Sequence, residues 1–137
     1  MASTSRGLRN NNPCNIRIGK TLWKGEIRPS RDRSFCTFTS MAWGYRAAMK
    51  LVSNYIELHG CKTVQEIIYR WAPPIENESS DYVRAVCRET GFSARTPIQP
   101  DDRTQMTALI AAMSRVENGV PASMAEVEDG WALLQNK

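Results

Sequence analysis

From Ser40 onward, helix-capping and helix-terminating residues divide the chain into segments of helix length. The positions of these residues restrict the fold more than any other feature. The start signals are Ser40, Thr63 with Glu66 three residues later, Asp101 or Asp102, and Ser123 with Glu126. The stop signals are Gly60, Pro73–Pro74, Gly91 and Gly119. Apolar residues recur at helical spacing between them, so we predict about five helices.

A small β region is predicted before these helices, in the segment NIRIGKTLWKGEIRPSRDRSFCTF. Ile16 and Ile18 alternate with polar neighbours, Lys24-Gly25 offers a turn, and the chain can return as a strand through Phe35. This pattern allows either a hairpin or a three-stranded sheet. The expected fold is therefore α+β, mostly α, in a single domain over residues 1–137, with residues 1–5 flexible.

Composition restricts the classes of function. No apolar run reaches the roughly 20 residues that cross a bilayer, and the start MASTSRGLRNNNP lacks the apolar core of a secretory signal. We therefore expect a protein made in the cytoplasm without a classical signal peptide. Residues 1 to 50 hold ten lysines and arginines against two acids, which fits either a polyanion partner or a solvated basic surface.

The cysteines and the single histidine argue against a metal site. Cys14, Cys36, Cys61 and Cys87 are more than twenty residues apart, and His59 is the one histidine. A structural zinc site needs closely spaced ligand pairs, so we expect neither a metal nor a cofactor. Free thiols packed as small apolar groups are favoured, and an even number of cysteines leaves one or two disulfides open.

An acid lies on the apolar stripe of the helix predicted from about Arg103 to Asn118. Met106, Leu109, Ile110 and Met113 recur at helical spacing, and Glu117 lies four residues beyond the last of them. Burial disfavours the charged form of a carboxyl group, so Glu117 there can stay protonated and donate a proton. The alternative is a side chain in the last helical turn that swings out to solvent.

Three stretches resemble a known family. RGLRNNNPCNIR, FCTFTSMAWGYRAAMKLVSNY and IIYRWAPPIENESSDYV are similar to small phage and prophage proteins labelled structural protein P5, over residues 6 to about 131. Members usually have glycine where this chain has Cys14. The resemblance implies a lysozyme-like fold and a role in cell-wall degradation, in a virion or at the bacterial cell wall.

The resemblance also suggests an altered order of motifs. RVENG is similar to the catalytic glutamate motif of lysozyme-like transglycosylases and glucosaminidases, and NNNPCNIR is similar to their β entry, but the order along the chain is reversed. We therefore expect a circularly permuted arrangement in which the Glu117 helix folds back beside the amino-terminal β region. Nearby chain termini make such a permutation physically easy.

These similarities imply a peptidoglycan-cleaving glycosidase or lytic transglycosylase with Glu117 as general acid. Glu26 is the first candidate for a second carboxylate and Asp32 the next; without one, the N-acetyl group of the sugar can act as the nucleophile, which is the favoured interpretation. The residues expected to bind substrate are Asn10, Asn11, Asn12, Asn15, Trp23, Trp71, Tyr82 and Arg9, with Tyr69, Asn77 and Arg6 as further candidates.

Each of these residues also has a structural interpretation. Trp71, at helical spacing, can belong to the core; the asparagines can be turn residues; and the charged groups can be exposed side chains. The expected partners are peptidoglycan glycan strands and other virion proteins. A non-catalytic virion component that binds glycan is the alternative function. The sequence has no recognisable helix-turn-helix or zinc module that would support nucleic-acid binding. A cysteine nucleophile would have to use His59 as its base, and the position of His59 at a helix end is explained by capping.

Overall fold

A computed structural model describes residues 5–73 and 78–136. The described chain is α+β and mostly helical, with a two-stranded antiparallel sheet near its start. In order, the elements are α1 (Arg6–Arg9), β1 (Glu26–Ile27), β2 (Thr37–Phe38), α2 (Met41–His59), α3 (Val64–Trp71), α4 (Ser79–Thr90), α5 (Arg103–Asn118) and α6 (Met124–Gln135).

The helix boundaries in the second part follow the predicted signals. Ser40 accepts a hydrogen bond from the Trp43 N–H at the start of α2, and Thr63 and Glu66 form a reciprocal capping box on α3. Asp102, not Asp101, caps α5. Gly60, Gly91 and Gly119 end α2, α4 and α5 with positive φ values of 68°, 80° and 75°, which glycine adopts without steric cost.

The amino-terminal part differs from the prediction in two respects. A sixth helix, α1, begins at Arg6 and is capped by Ser5; the short polar sequence lacks the apolar periodicity that predicts helices. The sheet has two antiparallel strands, which agrees with the hairpin alternative, but the strands are Glu26–Ile27 and Thr37–Phe38, and the segment of Ile16 and Ile18 contributes only an isolated bridge between Arg17 and Phe35. Residues 1–4, predicted to be flexible, and Asn77 and Pro74 lie outside the described residues.

The core lies among the helices. α2 packs against α6 and α4 against α5, and the predicted stripe of α5 is buried throughout. Gly130 allows α6 to approach α2 closely, since a Cβ there would lie 2.7 Å from the Tyr45 Cβ and 3.0 Å from the Ala42 carbonyl oxygen. None of the helices in the described ranges combines the length and apolar character that crossing a bilayer requires.

Candidate active site

Glu117, in the last turn of α5, lies against the amino-terminal part of the chain. The Asn15 Nδ2 donates to its Oε1 at 3.0 Å, and the Tyr82 hydroxyl of α4 donates to its Oε2 at 3.0 Å. Asn15 is 102 positions away in sequence. The carboxyl group is therefore held at the junction of three separate segments, and the predicted approach of the Glu117 helix to the amino-terminal region is confirmed.

The surroundings of Glu117 favour its protonated form. Burial raises the pKa of Glu117 above its usual value, and the hydrogen bonds from Asn15 and Tyr82 offset only part of this rise. The C-terminal end of α5, which carries partial negative charge, acts in the same direction as burial. A carboxyl group with these properties retains its proton over a wider pH range than an exposed glutamate and can serve as a general acid.

Asn15 reaches Glu117 because the backbone turns sharply around it. Its φ is 53°, a left-handed value that asparagine tolerates better than most residues. The neighbouring Asn118 donates from Nδ2 to the Pro13 carbonyl oxygen at 2.8 Å, and the Ser5 hydroxyl donates to its Oδ1 at 2.6 Å. Gly7 makes this approach possible, since a Cβ there would lie 2.6 Å from the Asn118 Oδ1.

A cleft beside Glu117 has two adjoining parts that share lining residues. The inner part, about 120 Å³, is lined by Cys14, Asn15, Arg17, Phe35, Trp71, Ala72 and Glu117. The outer part, about 310 Å³, is lined by Asn15, Ile16, Arg17, Gly19, Lys20, Thr21, Trp23, Leu51, Tyr55 and Trp71. Asn15, Arg17 and Trp71 line both parts, so the two parts adjoin, with Glu117 in the inner part and Trp23 and Tyr55 in the outer part.

The aromatic rings of this cleft are held in fixed positions. Trp71 donates from Nε1 to the Cys14 carbonyl oxygen at 3.2 Å, and its ring packs edge-on against Tyr55 with centroids 5.9 Å apart. Trp23 and Tyr55 are partly buried, so each ring presents part of its surface to the cleft. Rings of this kind offer apolar faces on which the C–H faces of sugars can pack.

Three of the predicted asparagines have internal partners and line neither part of the cleft. Asn12 is fully buried; it donates to the carbonyl oxygens of Ile16 and Cys36 at 2.9 Å and accepts from the Ile16 N–H at 2.9 Å. The Asn11 amide donates to the Phe38 carbonyl oxygen at 3.1 Å. Asn10 is also buried and bonds within the protein, so Asn15 is the predicted asparagine that reaches the cleft.

The two candidates for a second carboxylate lie elsewhere. Glu26 has a buried side chain, accepts from the Trp23 N–H at 3.0 Å and forms an ion pair of 2.9 Å with Arg28. Asp32 accepts from Arg6 at 2.6 Å, and this guanidinium holds the pKa of Asp32 well below its usual range. Neither lines the cleft beside Glu117. Each instead stabilises the loops that form the cleft.

The other predicted residues occupy varied positions. Trp23 and Trp71 line the cleft, whereas Tyr82 is buried behind Glu117 and contacts the carboxyl group itself. Arg9 is exposed, and neither it nor Tyr69 lines the cleft.

The prediction of site residues omitted several that line the cleft. Arg17 lies in the predicted strand region, and its exposed position at a cleft wall could not be recognised from the sequence. Leu51 and Tyr55 belong to the apolar face predicted for α2, where spacing alone does not distinguish the wall of a cleft from core. The one signal in the sequence for a cleft wall is Tyr55, a large aromatic residue near the end of the apolar face of α2.

The four cysteines are free thiols, and Cys14 and Cys36 are buried. Burial raises the pKa of Cys14 well above its usual value, and the nearby Glu117 acts in the same direction. A buried thiol of this kind is a poor nucleophile. Within residues 5–73 and 78–136, no three His, Cys, Asp or Glu side chains form a group suited to a metal ion.

The fold and the site define a small, mostly helical protein with one half-buried glutamate at the end of an aromatic-lined cleft. No protein-family model matches the chain. Protein P5 of Pseudoalteromonas phage PM2 is 35% identical over 131 residues, which cover 93% of this chain and 80% of that protein. The chain therefore belongs to the family of this phage protein.

Proposed function

We propose that the protein cleaves the β-1,4 glycan bond of peptidoglycan, with Glu117 as the general acid that protonates the leaving oxygen. The observation that carries this proposal is the position of the Glu117 carboxyl group. It is half-buried at the end of a cleft, and amide and phenol donors fix its direction. A carboxyl group with a raised pKa in a cleft is a common arrangement for acid catalysis on glycans.

The proposed fold class is lysozyme-like with a circular permutation. The short β region and the helix that ends in the acid are adjacent, as lysozyme-like enzymes require, although the helix follows the β region in the chain. Asn118 also ties α5 to the segment just before the β region, through hydrogen bonds with the Ser5 hydroxyl and the Pro13 carbonyl oxygen. These contacts support a circular permutation, in which the order of the two motifs along the chain is reversed while their relative position in the site is kept.

The proposed chemistry is that of a lytic transglycosylase. Among the described residues, Glu117 is the one carboxylate that lines the cleft, since Glu26 and Asp32 have partners elsewhere. A hydrolase with two carboxylates needs the second within about 5–9.5 Å of the first. With one glutamate, the N-acetyl group of the sugar can attack the anomeric carbon, and the sugar's own hydroxyl then closes a 1,6-anhydro ring.

The amide of Asn15 suits both protonation states of Glu117. Its Nδ2 donates to the carboxylate, while its Oδ1 is buried without a hydrogen-bond partner among the described residues. A half-turn of the amide would present Oδ1 to the O–H of a protonated carboxyl group. Asn15 would thus steady Glu117 before and after the proton is transferred.

The first experiment compares the wild type with Glu117→Gln on purified peptidoglycan sacculi. We expect the variant to release fragments about 10²- to 10⁴-fold more slowly, because the amide has no proton to donate. Glu57→Gln, a change at an exposed position of α2, is the matched control and should keep wild-type activity. Mass spectrometry of the fragments should find anhydro ends. Equal release by the wild type and Glu117→Gln would refute the assignment.

The same assay gives a pH dependence. Glu117 must be protonated to act, and its pKa is raised, so activity should persist above the pKa of an ordinary glutamate. It should fall as pH rises through the raised pKa, because the acid is then ionised. A rate that increases with pH over the same range would argue that Glu117 acts as a base.

The second candidate function is a virion component that binds wall glycan without cleaving it. The absence of a second carboxylate from the cleft, among the described residues, favours this alternative as well as the transglycosylase. The relative is a phage protein, which is compatible with virion partners. Binding of wild-type protein to sacculi without any release of fragments would select this second function.

A further inference from the structure

Arg17 forms part of the wall between the two parts of the cleft. It lines both parts, is exposed, and its guanidinium carbon lies 5.1 Å from the centre of the Phe35 ring. Its backbone is fixed by the bridge to Phe35. Stacking on an aromatic ring orients a guanidinium and leaves its N–H edge available for hydrogen bonding.

The nearby Arg6 and Arg28 have acidic partners, whereas Arg17 has none among the described residues. Arg6, which stacks on the same ring at 4.6 Å, pairs with Asp32, and Arg28 pairs with Glu26. Throughout residues 5–73 and 78–136, no ion pair or hydrogen bond involves the Arg17 guanidinium. Its five N–H groups are therefore free to bind a planar anion that enters the cleft.

The charge of the cleft points in the same direction. Arg17 and Lys20 are the cations that line it, and Glu117 is the one acid that lines it among the described residues. When Glu117 holds its proton, the cleft carries a net positive charge. A neutral glycan would leave these cations unpaired, whereas a glycan with carboxylate substituents would pair with them.

We propose that Arg17 is a specificity-determining residue that binds a carboxylate on the substituents of the glycan, beside the glycosidic oxygen that Glu117 protonates. The inference rests on the proposed function for the nature of the glycan, and it narrows the substrate class. The preferred ligand would be peptidoglycan whose sugars carry free carboxyl groups on their peptide stems. A β-1,4 glycan without such groups would bind more weakly.

Binding to two forms of the same sacculi tests this inference. One form is native, and in the other the carboxyl groups are converted to methylamides with carbodiimide and methylamine. Proteins carrying Glu117→Gln are used, because cleavage by this variant is expected to be slow compared with the binding measurement. We expect about tenfold tighter binding to native than to amidated sacculi, the difference typical of one charge-assisted bidentate contact.

Substitutions in that background assign the preference. Arg17→Gln should reduce the native-to-amidated ratio to about one, and Arg17→Lys, which keeps the charge without the bidentate edge, should give an intermediate ratio. Arg33→Gln is the matched control, because Arg33 is an exposed residue of the same basic segment that does not line the cleft. It should keep the tenfold ratio. Circular dichroism of each variant reports whether the fold is retained.

The outcomes separate this inference from the proposed activity. An unchanged ratio in folded Arg17→Gln overturns the role of Arg17, even if the wild type cleaves sacculi. An equal loss in Arg33→Gln also overturns it, since that result indicates general attraction to a basic surface. If the wild type releases no fragments but the ratio depends on Arg17, the cleavage proposal fails and the carboxylate site stands.

Discussion

The amino-terminal part, residues 5–38, and the helical part, residues 40–73 and 78–136, are held together by different interactions. The helical part buries apolar stripes, such as that of α5 from Met106 to Met113. The amino-terminal part has a four-residue helix and two two-residue strands, and its loops are fixed by side chains that bond to backbone. Glu117 belongs to the helical part, and its hydrogen-bond partner Asn15 belongs to the amino-terminal part.

This difference indicates that Asn10, Asn11 and Asn12 mainly stabilise the loops of the amino-terminal part. Apolar packing tolerates changes of similar volume, whereas a buried amide that satisfies several backbone groups has no isosteric replacement. The cleft wall depends on such amides. The geometry around Glu117 should therefore be more sensitive to polar changes in the amino-terminal part than to conservative changes in the helices.

The largest effect is expected for Asn12→Ala. The substitution leaves the Cys36 carbonyl and the Ile16 N–H without their partner, and it removes one of the two donors to the Ile16 carbonyl, which still accepts from the Cys36 N–H. We expect a loss of about 3–4 kcal/mol in the free energy of unfolding, because unsatisfied buried groups cost about 1–3 kcal/mol each with partial relaxation. Urea denaturation measures it. Asn54→Ala, on half-buried α2 surface, should change stability by less than about 0.5 kcal/mol.

A change at the contact between the two parts should have the next largest effect. A Cβ on Gly44 of α2 would lie 2.1 Å from the Asn11 carbonyl oxygen and 2.6 Å from the Pro13 Cδ. Gly44→Ala should destabilise the protein by about 2–3 kcal/mol, since the backbone of the asparagine segment must move away. Gly19→Ala is the control, because nothing lies within 4 Å of a Cβ there. Similar melting temperatures for the two variants would contradict this account.

The same difference between the two parts explains how far the sequence predicts the structure. The helices could be located because Ser40, Thr63 and Gly119 act locally on their own helix ends. Glu117 could be assigned to the core-facing stripe by spacing. The amino-terminal part could not be predicted in detail, because the partners of Asn12 and Glu26 depend on the three-dimensional path of the loops.

The cleft was predictable only in part for a related reason. Trp23 and Trp71 are predicted as sugar-binding platforms because of their large aromatic rings; both line the cleft, and their contact with sugar stays a prediction. Arg17 and Tyr55 were not found, because an exposed arginine and a helical tyrosine are common in any sequence. Arg17 and Tyr55 line the cleft because two loops and α2 meet there in the folded protein. No local sequence pattern predicts this meeting.

The smallest effect, and the most specific one, is expected for Tyr82→Phe. The hydroxyl of Tyr82 donates to the Glu117 Oε2 and stabilises the charged form of the acid, so it lowers a pKa that burial raises. Its removal should raise the pKa of Glu117 further and shift the alkaline fall of activity to higher pH, with a change of only several-fold in the maximal rate. Tyr69→Phe should leave the profile unchanged, since Tyr69 does not line the cleft. A shift to lower pH in Tyr82→Phe would mean that the hydroxyl favours the protonated acid, which would contradict the direction of its effect on the pKa of Glu117.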